Sequence, residues 1–306
     1  NKQSLILHFY NIIFEQNEDG SYKSLGEIIA QTKNQTSGSN MRNFLLFGNP
    51  AVTLDMPKYR SLTDSINGFN AEIYTDTLKA LKKVRISGHI TDSIESTKMN
   101  FNGRIYPVVF DKLKTQETLN NDDVASGTFT YEKRENILFK GKASVTNGKF
   151  WFEFIVPIDI DYTIGEGKIS YYAEDGQNDA YGYFNNFMVG GSENVTINDI
   201  TGPEIEIYLD DTTFVSGGTT NESPLLIAHL QDEYGINITG NSIGHDITAT
   251  LNGDITDKIT LNDFYENDLN SYQSGEVNYQ LLDLEDGLNT LKLKAWDIVN
   301  NSSEAY

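Results

Sequence analysis

The residue pattern predicts a mainly β protein of two tandem immunoglobulin-like β-sandwich domains preceded by a short α/β headpiece. Helical periodicity is confined to the opening of the chain and stops at FLLFGNPAVTL, residues 44 to 54. From Ser61 onward apolar and polar residues alternate at the two-residue period of half-buried strands. Turn signals such as Thr146-Asn147-Gly148 and Thr201-Gly202-Pro203 punctuate that alternation at the spacing a sandwich uses. The expected organisation is therefore 1–57, 58–200 and 201–306.

In the headpiece, Leu5, Phe9, Ile12 and Ile13 fall at i, i+4, i+7 and i+8, a helical stripe whose density of Phe, Tyr and Ile leaves a strand open. Ser24 followed by Glu27 reads as a capping box opening a second helix over Leu25, Ile28, Ile29 and Ala30, ending near Asn34 to Gly38. Phe44 to Phe47 reads as a short strand closed by the turn Gly48-Asn49-Pro50. Two helices and one strand leave apolar faces uncovered. They are expected to pack on the β-region, on a second copy, or on a preceding domain.

The first sandwich is expected from Val84, Ile86, Gly88 and Ile90, from Ile137, Phe139, Gly141, Ala143 and Val145, and from Phe150, Phe152, Phe154 and Val156 across an Asn-Gly hairpin. Residues 168–173 add a strand. The glycine-rich run 175–191 reads as loops with one strand at 184–189. Ile205, Ile207 and Leu209 open the second sandwich, with strands at 224–230, 246–251, 257–262, 277–282 and 288–296. A final hairpin is set by Asp297, Asn300 and Asn301.

Composition narrows function. Lys and Arg total 23 against 44 Asp and Glu, a net charge of −21, which repels phosphate backbones and anionic lipid. No apolar run approaches the ~18 residues of a membrane-spanning helix, so no direct membrane insertion is expected. There is no Cys, hence neither disulfide nor thiol nucleophile. The sequence opens at Asn1 without Met or an apolar leader segment, and a preceding segment is expected.

Gly240-Asn241-Ser242-Ile243-Gly244 fits a nucleophile elbow, with His245 and Asp246 beside it. An elbow needs a strand before the Ser and a helix after it, whereas HDITATL alternates like a strand, so the run reads as a glycine-rich loop. His8, His89, His229 and His245 share no metal-ligand spacing; His89 reads as solvated and His229 as an interior residue. Asp210, Asp211, Asp232, Glu233, Asp246 and Asp297 flank expected strand ends, where five of them (Asp210, Asp211, Asp232, Asp246 and Asp297) are the candidate Ca²⁺ ligands, although turn capping accounts for them equally. No other cofactor is expected. Tyr171, Tyr172, Tyr181, Tyr183 and Phe184, with Trp151, suggest either an aromatic binding platform or ordinary sheet packing.

Taken in order, the segments resemble one family. LGEIIAQTKN and NFLLFGNPAVTLDMP resemble the closing helix and strand of a gingipain-type cysteine peptidase domain, with Asn49 where that pattern has Asp. INGFNAEIYTDTLKALKKVRISGHITD, FNGRIYPVVFDK, NILFKGKASVTNGKFWFEFIVPIDIDYTIGEGKISYYA, TGPEIEIYLDD, GINITGNSIGHDITATLNGD and KLKAWDIVNNSSE resemble the region that follows the peptidase domain in PorU-like sortases of the type IX secretion system. The resemblance implies that residues 1–57 are the remnant of a peptidase domain and that the rest is a non-catalytic stretch of a protein on the cell surface, at the outer membrane. Its implied partners are outer-membrane components of the secretion system and secreted cargo proteins, with no nucleic acid. The family's catalytic Cys and His have no counterpart here. The alternative is an adhesin-like surface module that binds carbohydrate or protein.

Overall fold

The structure, a computed structural model, describes every residue except 1, 39–42, 93–95, 122–126, 195–196, 240–243 and 257. It is mainly β and divides into two compact units, Asn1–Pro57 and Lys58–Tyr306. Among the described residues no helix is long and apolar enough to cross a membrane.

In the first unit, helices span Lys2–Ile13 and Leu25–Gln35. The second starts where the sequence places it. Ser24 Oγ accepts from the Glu27 amide, and the Glu27 carboxylate accepts from the Ser24 amide at 2.8 Å, so two otherwise orphaned N–H groups are satisfied. Ile12 and Ile28 form the centre of this small unit, at 1% and 0% exposure. The expected strand at Phe44 to Phe47 does not form. Backbone N–H and C=O groups become a strand only against a partner ladder, and none is offered there. Leu45 and Phe47 stay exposed, with Ile6, Leu7 and Tyr10 on the first helix and Phe14 just after it. Such a surface should bind a solvatochromic dye. A strict monomer by static light scattering that takes up no dye would remove the uncovered-face reading.

The second unit begins with a sheet that closes on itself. In order round the ring, its strands are Lys168–Glu174, Asp179–Phe184, Tyr59–Ile66, Lys83–Thr91, Lys149–Ile155, Ala143–Thr146 and Gly103–Phe110, and the last pairs back to the first. Every seam is antiparallel except that between Tyr59–Ile66 and Asp179–Phe184. A sandwich was expected here; the closed sheet replaces it and removes the free edges a sandwich would keep. The interior is packed rather than hollow: Val84, Ile86, Ile90, Ile105 and Ile169 are fully buried, and Phe139, Phe152 and Phe154 stack with centroids 5.0 to 6.4 Å apart. Asn147 and Gly148, at φ of 51° and 71°, make the two-residue hairpin that the Asn-Gly pair demands.

Two local expectations fail informatively. The run 137–145 forms two short strands, Ile137–Lys140 and Ala143–Thr146, broken at Gly141, where a Cβ would meet the Phe139 ring at 2.3 Å. The run 175–191 is not mainly loop but holds Asp179–Phe184 and Met188–Ser192. In the former, Tyr181 and Tyr183 point outward while Ala180 is buried, which reverses the usual apolar-in pattern.

After the ring come two four-stranded antiparallel sheets around one core. One is ordered Glu204–Leu209, Leu225–Gln231, Ser274–Gln280, Tyr265–Asn267; the other Ile259–Thr260, Thr248–Leu251, Leu291–Trp296, Ser302–Ala305. Leu226, Ala228, Val277 and Tyr265 from the first meet Ala249, Leu293 and Ala295 from the second. The short strand Tyr265–Asn267 lacks any alternation that the sequence reading could use.

Among the described residues, backbone hydrogen bonds tie the ring to the paired sheets on two sides. Asn270, at φ 61°, donates its amide to the Lys142 carbonyl, accepts from the Ser144 amide at 2.7 Å and donates to Ser144 Oγ at 2.9 Å. On the other side the Ile158 amide donates to the Ile298 carbonyl at 2.9 Å.

Candidate functional site

That second contact is centred on one carboxylate. Asp159, its side chain 8% exposed, receives Asn237 Nδ2 at 3.0 Å and His245 Nδ1 at 2.7 Å on Oδ2, and Asn300 Nδ2 at 2.7 Å on Oδ1. The three partners come from three loops of the paired sheets, while Asp159 follows the ring strand Lys149–Ile155. His245 also lies against Trp296, with ring centroids 4.2 Å apart. The imidazole is thus held by Asp159 rather than by its neighbour Asp246, which takes Asn262 Nδ2 at 3.0 Å. Gly240 to Ile243, including Ser242, lie outside the described residues, and the chain after Gly244 continues as the strand Thr248–Leu251 instead of the helix an elbow requires. Asn237 is fully buried, so its sequon with Thr239 is unavailable to a glycan; the sequon at Asn194 includes undescribed residues.

His8 Nδ1 lies 3.0 Å from Thr36 Oγ1, and His89 Nδ1 lies 2.7 Å from Asp64 Oδ1. His229 was expected inside. It stands instead on the outer face of its sheet, 39% exposed, with Nε2 2.8 Å from Glu276 and Nδ1 3.9 Å from Glu206. The strand Leu225–Gln231 buries Leu226, Ala228 and Leu230, and strict alternation puts His229 out.

Of the five candidate Ca²⁺ ligands, the adjacent Asp210 and Asp211 and the separate Asp246 are turn supports. Asp210, at φ 64°, accepts from the Leu225 amide at 3.0 Å, from Thr220 Oγ1 and from Asn221 Nδ2, and the Leu225 N–H above all holds its carboxyl below the usual range. Asp211 caps Thr213, whose hydroxyl and amide lower its carboxyl in the same way. Asp246 braces Asn262. The remaining two, Asp232 and Asp297, come together, and a third carboxylate, Asp199, joins them. One oxygen each of Asp199, Asp232 and Asp297 lies within 4.8 Å of the others.

The three arrive from different elements. Asp199 lies in the segment between the ring and the paired sheets, Asp232 just after Leu225–Gln231, and Asp297 just after Leu291–Trp296. Asp297 is fully buried and Asp232 is 8% exposed. Each braces its own turn. Asp232 Oδ1 accepts from the amides of Tyr234 and Gly235, and Asp297 Oδ1 from those of Val299 and Asn301. Asn301 Nδ2 bridges Asp297 Oδ2 and the Asp199 carbonyl. Asp199 Oδ1 takes the amide and hydroxyl of Thr201, whereas its Oδ2 is closed off from solvent with no hydrogen-bond donor. Burial pushes the Asp297 carboxyl up to about 6, against the pull of the Asn301 donors and with a further push from Asp232; burial likewise raises Asp232.

The Asp297 shift has a definite sign. A carboxyl that binds its proton more tightly in the folded than in the unfolded chain contributes stability at low pH, and this contribution is lost as pH rises from the ordinary 3.8 through about 6. In chelator, the melting temperature of the wild type should therefore fall relative to Asp297→Asn between pH 4 and pH 7. Parallel pH profiles for the two proteins would contradict the assignment.

The aromatic group divides. Tyr171 is buried, its hydroxyl 2.7 Å from Thr63 Oγ1, and Phe184 stacks on Phe187 at the edge of the ring core. Tyr172, Tyr181 and Tyr183 are exposed on the outer face. Tyr106, Tyr172 and Tyr181 stand in register on three neighbouring strands, the first two stacked at 6.1 Å. Trp151 is also outward, with the Arg85 guanidinium 4.2 Å above its ring.

Comparison with solved structures finds a match to the crystal structure of dimeric latent PorU from Porphyromonas gingivalis, at 30% sequence identity and a TM-score of 0.50, covering 96% of this chain. The chain is similar to PorU over almost its whole length. It spans 28% of that protein's chain. A marsupial T cell receptor is matched at 12% identity and a TM-score of 0.20, over 81% of this chain and 99% of the receptor chain, too slight a likeness to support any argument. No protein-family model and no curated protein matches.

Proposed function

We propose that this chain is a non-catalytic β-region of a PorU-like sortase of the type IX secretion system, which cleaves C-terminal sorting signals from secreted cargo and attaches the cargo to the cell surface. The observation that carries the reading is the 30% identity to PorU maintained across 96% of the chain. In this reading residues 1–57 close the peptidase domain, whose body covers the apolar residues left exposed on the first helix and at Leu45 and Phe47. The closed ring and the paired sheets then act as a spacer that sets where the peptidase domain stands relative to outer-membrane partners and arriving cargo. Two separate bonded contacts between ring and sheets suit such a role, because a spacer transmits position only if its joints are fixed. With no Cys, the chain supplies no thiol nucleophile of its own.

The test is a graft. Replacing the matching segment of the P. gingivalis protein by this chain should preserve removal of sorting signals and surface attachment of cargo. A graft that is folded and exported but attaches no cargo would overturn the reading.

The row of half-buried Tyr106 and exposed Tyr172 and Tyr181 favours a second reading, an adhesin-like module at the cell surface that binds carbohydrate. Saturable binding on a glycan array, lost in Tyr172→Ala, would establish it; no binding by the folded chain would remove it.

A further inference from the structure

We infer that Asp199, Asp232 and Asp297 form a binding site for one divalent cation with hard, oxygen-preferring chemistry, Ca²⁺ in the first instance. Three carboxylates bring one oxygen each within 4.8 Å of the others, and two of the residues are at least nine-tenths buried. The charged neighbours acting on Asp232 and Asp297 are themselves carboxylates. Negative charges gathered out of water need a counter-charge, and the hydrogen bonds to the Oδ1 atoms come from neutral amides and a hydroxyl. The second observation is independent of the clustering. Asp199 Oδ2 is shut from solvent and accepts no hydrogen bond, and in the 297–301 turn Asn300 Oδ1 is also buried without a donor. A buried oxygen without a donor is costly unless a cation or a proton meets it.

The geometry suits Ca²⁺. Oxygens bonded at 2.3–2.6 Å stand at most about 4.6–5.2 Å apart across the ion, and separations within 4.8 Å are compatible with such a shell. The donors are carboxylates with no nitrogen or sulfur in the group, which disfavours Zn²⁺ and Cu²⁺.

Placement gives the site its consequence. Leu225–Gln231 belongs to one of the paired sheets and Leu291–Trp296 to the other, while Asp199 belongs to the segment that leads in from the ring. One ion would clamp both sheets and that segment together. It would do so beside the joint, since Ile298 accepts the Ile158 amide and Asn300 holds Asp159. Binding of the ion therefore rigidifies the joint between the two β bodies.

The experiment uses the full chain stripped with EDTA and titrated with Ca²⁺, with Mg²⁺ in parallel. One ion per chain by calorimetry and a rise in melting temperature of about 5–10 °C at a hundredfold excess over Kd are expected. Bound Tb³⁺ should luminesce on excitation of Trp296, the residue before Asp297. Asp199→Asn, a change at the least buried of the three, should abolish the Ca²⁺ shift while melting at or above the wild-type temperature in EDTA, because it removes a repelling charge; Asp232→Asn serves as the second variant. An unchanged wild-type melt between EDTA and millimolar Ca²⁺ would overturn the inference. So would a Ca²⁺ shift retained in both variants.

Discussion

Asp159→Ala is expected to lower the melting temperature of the full chain by about 10 °C and to separate one unfolding transition into two. The side chain is 8% exposed and is the common acceptor for Asn237, His245 and Asn300. Truncation leaves the buried Asn237 and the half-buried His245 and Asn300 without this carboxylate, and a buried unpaired donor costs about 1–3 kcal/mol. A total of roughly 3–5 kcal/mol corresponds to several degrees or more in a body of this size. The second transition is expected because the ring and the paired sheets have separate apolar cores, and besides Tyr272 packed on the ring core and Ile137 packed on the core of the sheets they are coupled by these polar contacts. Asp159→Asn keeps one acceptor oxygen and should fall between. Scanning calorimetry decides: a single transition at the wild-type temperature in Asp159→Ala would show that the carboxylate does not hold the joint.

Gly182→Ala is expected to damage the ring more than any outward substitution on the same strand. A Cβ at residue 182 would lie 2.0 Å from the Ser61 carbonyl oxygen and 3.0 Å from its carbon. Backbone cannot rotate away as a side chain can, so the parallel seam between Tyr59–Ile66 and Asp179–Phe184 must open to admit the methyl group. That seam completes the ring, and opening it exposes two strand edges together with the apolar interior. A loss of about 3 kcal/mol is expected, at the upper end of the usual cost of overpacking because the clash is with backbone. Tyr183→Ser, one residue on and facing solvent, should change stability by no more than about 0.5 kcal/mol. Chemical denaturation of the two variants checks the contrast, and equal stabilities would refute the close-approach account.

How much of this was legible in the sequence depended on how local the cause was. The capping box at Ser24 and Glu27, the Asn147-Gly148 hairpin and the alternation of Val84, Ile86 and Ile90 each rest on residues a few positions apart, and each forms as read. Closure of the first sheet does not. It joins residue 59 to residue 180 by a parallel seam, and nothing in either segment alone encodes the partner. The strand Asp179–Phe184 was hidden because its tyrosines face water and its interior positions are small, so an apolar-in template is inverted. His229 sits in an apolar run whose average suggests burial, but the alternation of Leu226, Ala228 and Leu230 puts it on the outer face. At the carboxylate cluster, Asp232 and Asp297 were visible as acids at strand ends. Asp199 was not, because it precedes the Thr-Gly-Pro breaker and is brought to the others only by the path between the two β bodies.

The role proposed for this β-region is to position chemistry performed elsewhere. It is tested most directly by placing Asp159→Ala in the P. gingivalis graft and measuring two activities on the same cells: cleavage of a soluble sorting-signal peptide, and attachment of cargo to the surface. The account predicts that peptide cleavage persists while attachment falls. Loss of both together, or no change in either, would contradict it.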